Sequence, residues 1–339
     1  MIIVLKPGLA KKDETVVLKE IRKLGYTPHV MRGVARTVIG AIGDELTHAN
    51  LETLTAKFPK AVESVMPIQK RYKLVSREAH PANSTVRIRE HTIGGNKFHV
   101  MAGPCSVESE KQLLTTAEAV KAAGATILRG GAFKPRTSPY EFQGLGEKGL
   151  KLLAKARRVT GLAIITELLS ESHAELVAEY TDIIQIGARN SQNFQLLIAA
   201  AKTGKPILLK RGLSMKIEEW LLAGEYVLAN ENPNLLFCER GIRTFETYTR
   251  NTLDLSTIPI IKRESHCPIV IDPSQGAGRA DLVAAMCKGA VAMGADALLI
   301  EVHPNPAEAW SDGAQQVSFG MFAKLMQELK PFIAAAGRE

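Results

Sequence analysis

From residue 98 onward the chain repeats one pattern: a short apolar run, a few polar or charged residues, then a stretch whose apolar positions recur at helical spacing. The runs lie at 98–102, 126–128, 163–166, 182–186, 206–209, 235–238, 268–271 and 297–300. Between them, 108–123, 146–158, 192–202, 217–227 and 281–293 carry the amphipathic periodicity of helices. Short apolar runs alternating with helices predict a parallel sheet, and eight such units over about 240 residues fit a closed (β/α)8 TIM barrel. A doubly wound open sheet is the alternative that the pattern leaves. The first 70 residues differ. Strands at 2–5, 27–31, 36–42 and 62–66 with helices at 13–24 and 51–60 follow the order βαββαβ, a small ferredoxin-like domain. The polar stretch that follows predicts a linker over 71–97 carrying a short strand, with the barrel at 98–339.

Composition narrows the function classes. The 339 residues are 45% hydrophobic, without an apolar run long enough to span a membrane, and Met-Ile-Ile-Val-Leu-Lys at the start is unlike a signal peptide. A cytoplasmic protein without membrane association is therefore expected. Four cysteines, Cys105, Cys238, Cys267 and Cys287, show no CxxC spacing and read as reduced thiols. The net charge of +8 could suit nucleic acid, yet aromatics make up only 5% and no long basic block occurs. Small anionic substrates account for the excess better.

The chemistry concentrates where the apolar runs end. In a barrel those exits share one mouth. They carry Arg129, Lys134 and Arg136, then Arg189, Lys210 and Arg240. So many like charges in one cavity require a polyanion to offset their repulsion; two phosphates and a carboxylate would suffice. The segment 128–139, Leu-Arg-Gly-Gly-Ala-Phe-Lys-Pro-Arg-Thr-Ser-Pro, is the densest part, pairing guanidinium forks and an ammonium with glycines that let backbone N–H groups approach a ligand. A softer set comprises Cys105, Glu301 and Asp312, with Gln275 between them in sequence. Thiolate and carboxylates together suit a divalent transition metal.

The motifs Ala102-Gly-Pro-Cys-Ser-Val-Glu108, 128–139, Gln185-Ile-Gly-Ala-Arg-Asn190, Leu209-Lys-Arg-Gly212, Cys238-Glu-Arg-Gly-Ile-Arg243 and Glu301-Val-His-Pro304 resemble the 3-deoxy-D-arabino-heptulosonate 7-phosphate (DAHP) synthases of type Iβ, over nearly the whole chain. Lys134-Pro135-Arg136-Thr137 separates it from the related 3-deoxy-octulosonate 8-phosphate synthases, which carry an Ala-Asn-Arg type loop there. The resemblance implies condensation of phosphoenolpyruvate (PEP) with erythrose 4-phosphate, the first step of the shikimate pathway. It implies that Arg129, Lys134 and Lys210 hold the PEP carboxylate side and Arg189 and Arg240 its phosphate, with Ala188 beside them. Arg136 and Thr137 would take the phosphate of erythrose 4-phosphate. Lys134 would protonate the aldehyde oxygen and Glu167 would position water, with Cys105 at the catalytic metal.

One departure stands out. The family's metal site uses Cys, His, Glu and Asp, with its His in an Asp-Pro-Ser-His motif; here the motif reads Asp272-Pro273-Ser274-Gln275. The expected ligand set is therefore Cys105, Gln275 through its amide oxygen, Glu301 and Asp312, holding Mn2+, Zn2+, Fe2+ or Co2+ more weakly than an imidazole site. His303, two residues beyond Glu301 on an extended chain, is a candidate substitute ligand. The alternative to an active enzyme is an impaired homologue that serves as an aromatic amino acid sensor. In the N-terminal domain the resemblance implies feedback control by tyrosine or phenylalanine near His29, with Met31 replacing a small polar residue of some relatives, and a homotetramer.

Overall fold

The computed structural model describes residues 1–32, 37–42, 48–66, 70–136 and 138–339. They form two compact units, Met1–Arg71 and Tyr72–Glu339. The first unit runs β1 (Ile2–Leu5), helix Lys11–Lys23, β2 (Thr27–Arg32), β3 (Thr37–Ile42), helix His48–Lys57 and β4 (Val62–Met66). Its sheet order is β2-β3-β1-β4 with every neighbouring pair antiparallel, as a ferredoxin-like fold requires. Asp13 and Glu14 in the first turn of the first helix and Arg22 and Lys23 in its last complement the helix dipole. Val17 and Ile21 on its inner face meet Ile3, Leu5 and Ile39 of the sheet and Leu51 and Leu54 of the second helix. His29 lies on β2 opposite Gly40, exposed. The side chain of Met31 lies outside the described residues.

In the second unit, eight parallel strands among the described residues close into a barrel: β7 (His99–Gly103), β8 (Ile127–Arg129), β9 (Ala163–Leu168), β10 (Ile183–Ile186), β11 (Ile207–Lys210), β12 (Leu235–Glu239), β13 (Ile269–Ile271) and β14 (Ala297–Glu301), with β14 pairing back onto β7. This excludes the open doubly wound sheet. The strands are short and buried on both faces, which is why each reads as a continuous apolar run. Side-chain alternation sorts them. Leu298 and Ile300 face outward to the helical layer, while Ala297 and Leu299 face the barrel interior.

The stretch expected as a connector is part of the barrel unit from Tyr72 onward. The backbone N–H groups of Lys73, Leu74 and Val75 donate to the Glu225 carboxylate at 3.0, 2.7 and 3.0 Å. A hairpin follows, β5 (Val86–Ile88) and β6 (His91–Ile93), turning through Arg89 in the left-handed region. Its Val86, Ile88 and Ile93 are buried with Ile127, Ala163, Ile183 and Ala297, the first residues of four barrel strands. The hairpin thus plugs the end of the barrel opposite the strand exits. We predict that Ile93→Ala, by opening a cavity at this plug, lowers unfolding free energy by about 2–4 kcal/mol in a denaturant titration. A variant as stable as the parent would show that the plug does not support the barrel.

Candidate active site

The interior positions of the strands lead directly to the chemistry. Two residues beyond Ile127 is Arg129, beyond Ile165 Glu167, beyond Ile183 Gln185, beyond Leu208 Lys210, beyond Cys238 Arg240, beyond Val270 Asp272 and beyond Leu299 Glu301. The period of two that fills the core therefore aims seven polar side chains at the barrel mouth. Five of them, Arg129, Glu167, Gln185, Lys210 and Arg240, line a cavity of about 260 Å3 together with Lys134, Arg136, Ala188, Arg189 and Arg250. Only three carboxylates, Glu141, Glu167 and Asp312, face these seven cations. The excess positive charge in a walled cleft makes it an anion receptor.

Six of the seven cations have protein partners in place. Arg129 donates through Nη1 to Glu301 Oε1 and to the Pro104 carbonyl, both at 2.9 Å, while its buried Nε has no protein partner. Burial opposes its charge, but Glu301 and the neighbouring acidic groups outweigh burial and push its pKa above the ordinary arginine value. Lys134 Nζ donates to the carbonyl and the Sγ of Cys105, both at 3.0 Å. There too burial is overcome, and the ammonium is held above its usual range. Lys210 pairs with Asp272 at 2.5 Å, and Asp272 also accepts from the backbone N–H of Gln275 at 2.9 Å. Burial lowers the pKa of Arg240. Gly187 is required beneath Glu167, since a Cβ there would stand 1.9 Å from Glu167 Oε1.

Cys105, Glu301 and Asp312 lie at one side of the cavity and bring their ligand atoms within 4.8 Å of one another, the one such group of three among the described residues. Burial, reinforced by Glu301, pushes the Cys105 thiol up to about 11. Asp312 moves the other way: Arg250 and Lys134 overcome the effect of burial and hold its carboxyl down at about 2. This mixed soft and hard donor set suits a divalent transition metal.

Arg129, Lys134, Arg136, Glu167, Ala188, Arg189, Lys210, Arg240, Gln275 and Asp312 all line the cavity, as expected from sequence. Arg136 pairs with Glu141 at 2.7 Å. Thr137 lies outside the described residues. Two expectations are corrected. Gln275 sits by the metal group, but its amide oxygen accepts from Arg240 Nη2 at 2.9 Å and its Nε2 faces Glu301 and Asp312, so the oxygen expected as a ligand points elsewhere. His303 is no substitute ligand, because β14 ends at Glu301 and the strand alternation ends with it. The imidazole instead meets Glu108 at 3.2 Å and the Asn305 carbonyl at 2.8 Å. Gln185 and Asp272 were hidden inside or just past apolar runs, and inward parity is the signal that finds them. Arg250, bound to Asp312 at 3.0 Å and Gln315 at 3.1 Å, comes from a loop far past the end of β12.

Comparison with known proteins gives a consistent result. Residues 76–335 match the DAHP synthetase I family and residues 1–70 the DAHP synthase ferredoxin-like domain. The sequence is 49% identical to phospho-2-dehydro-3-deoxyheptonate aldolase of Thermotoga maritima over 339 residues, 99% of either chain. It is 35% identical over 269 residues to 2-dehydro-3-deoxyphosphooctonate aldolase of Caulobacter vibrioides, covering 74% of this chain and 91% of that one. The crystal structure of the Thermotoga maritima DAHP synthase matches with a TM-score of 0.83 at 48% identity, over 100% of this chain and 98% of that one.

Proposed function

The chain belongs to the DAHP synthetase I family and forms DAHP and phosphate from PEP, erythrose 4-phosphate and water, and from that premise we propose which groups of the cavity do the work. Arg129, Lys134 and Lys210 hold the PEP carboxylate side, and Arg189 and Arg240 its phosphate. Arg136 and Thr137 take the phosphate of erythrose 4-phosphate, and Ala188 lies beside Arg189 in the substrate site. The observation that carries this reading is the convergence of cations from separate strand exits on one cavity. Each fork or ammonium there neutralises one part of a doubly anionic pair and fixes the two substrates side by side, which lowers the entropic barrier to their union.

Lys134, kept protonated by its surroundings, is the acid. As PEP C3 forms its bond to the aldehyde carbon, the carbonyl oxygen takes a proton from Lys134 Nζ. Glu167 orients the water that adds at PEP C2 and accepts its proton. The C2–O bond then breaks with its electron pair leaving on phosphate, which takes the proton of the new C2 hydroxyl as the C2 carbonyl forms. Cys105, Glu301 and Asp312 would hold a divalent metal such as Mn2+, Zn2+, Fe2+ or Co2+, which when bound supplies Lewis-acid polarisation of the aldehyde.

No helix among the described residues is long and apolar enough to cross a membrane, and a cytoplasmic setting belongs to the same reading. The ferredoxin-like domain, with His29 exposed on β2, is proposed to bind tyrosine or phenylalanine in a homotetramer. One of the two should then slow DAHP formation and raise the melting temperature of an assembly four chains in size. A monomer indifferent to both would leave that domain a structural role. For the chemical step, Lys134→Gln should lower kcat for PEP consumption by about 10^2–10^4-fold while PEP still binds. Retention of the parent kcat would remove Lys134 as the acid.

A further inference from the structure

Gln275 occupies the place where the family's metal site has an imidazole, and its contacts are those of a donor. Its Nε2 donates to Glu301 Oε1 at 3.0 Å and to Asp312 Oδ2 at 3.3 Å. On the other side, its Oε1 accepts from Arg240 Nη2 at 2.9 Å. Turning the amide to offer oxygen to a metal would set that oxygen against the carboxylates and bring the amide N–H groups against the guanidinium, mismatching both sides at once. The main chain is fixed as well. Gln275 N donates to Asp272 Oδ1, whose other oxygen accepts from Lys210, and Asn251 donates to the Gln275 carbonyl at 3.0 Å.

The carboxylates are satisfied without any further partner. Glu301 Oε1 accepts from Arg129 and Gln275 and its Oε2 from Gln315 at 2.7 Å. Asp312 Oδ1 accepts from Arg250, and its Oδ2 accepts from Gln275 and lies 3.3 Å from Cys105 Sγ. A metal entering this cluster must displace donors that are already in place. An imidazole at position 275 would compete for the same space as a ligand; the amide competes with the metal itself.

We propose that Gln275 is a bracket and not a ligand: it holds Glu301 and Asp312 in the metal-free site and ties them to Arg240, leaving Cys105, Glu301 and Asp312 as the protein ligands among the described residues. Further coordination would then come from water or substrate. This rests on the reading of those three residues as the metal site. By linkage, a group that stabilises the metal-free state weakens metal binding, whereas a ligand strengthens it, so removal of Gln275 has opposite signs under the two views.

The test uses the full chain stripped with a chelator and titrated with Co2+, followed by the near-ultraviolet absorption of the cobalt–thiolate bond. Gln275→Leu, similar in length but without polar atoms, is compared with the parent; Gln275→Ala serves where the leucine variant does not fold. The proposal expects a Co2+ Kd below that of the parent, together with a lower melting temperature of the metal-free variant, because Glu301, Asp312 and Arg240 each lose a partner. A Kd unchanged or raised overturns it, as does unchanged melting of the metal-free variant. Absence of the cobalt–thiolate band in the parent itself would overturn the metal-site reading and the bracket with it. A band in the parent with weaker binding in the variant overturns the bracket alone.

Discussion

The ion pair between Arg129 and Glu301, 2.9 Å apart with side chains 6% and 1% exposed, is the contact on which the rest of the site depends. It joins the exit of β8 to the exit of β14 across β7, the strand that leads to Cys105. Arg129 also fixes the Pro104 carbonyl, and so the turn that carries the thiol. Gly103 makes this approach feasible: a Cβ there would stand 2.1 Å from the Arg129 carbonyl oxygen. A buried pair of this kind adds little net stability over an apolar pair, yet loss of one partner leaves an uncompensated charge at a cost of about 3–5 kcal/mol. Its value lies in position. It presents a cation to the anion cavity and a carboxylate to the metal group from one rigid unit.

Other pairs repeat that arrangement. Lys134 faces Cys105, Lys210 faces Asp272, Arg250 faces Asp312 and Arg240 faces Gln275. Arg129, Lys134, Lys210, Arg240 and Arg250, which would repel one another in an empty cavity, are thus supported from behind by acceptors. The barrel can therefore hold a strongly positive mouth before any substrate arrives. The neighbouring network of Arg211 with Glu239 and Asp254 accepts the Gly241 N–H at 2.6 Å through Glu239, fixing the main chain next to Arg240.

Much of this was legible in the sequence because parallel barrel strands are buried on both faces and so read as short uninterrupted apolar runs. All eight runs coincide with strands to within two residues or so at each end. The cations were legible because they sit immediately past those runs. Where reading failed, tertiary contact was the cause. Gln185 was absorbed into an apolar run although its interior parity marks it. Arg250 reaches Asp312 only because of how its loop folds back. His303 shows the opposite error, an alternation extended past the end of the strand that produced it. The polar flanks of the hairpin at the foot of the barrel predict a linker with a short strand, yet Val86, Ile88 and Ile93 are buried with the barrel interior. Gln275 is the sharpest case: the sequence shows that an amide replaces an imidazole, but only the Arg240 contact shows which way the amide faces.

The anion cavity is complete in the protein's own side chains, with Glu301, Asp272 and Asp312 supporting Arg129, Lys210 and Arg250. Calorimetric titration of PEP into the chelator-treated full chain tests it most directly. Saturable binding at one site per chain is expected, weakening as salt is raised because the contacts are ionic. Absence of PEP binding until a divalent metal is restored would contradict it.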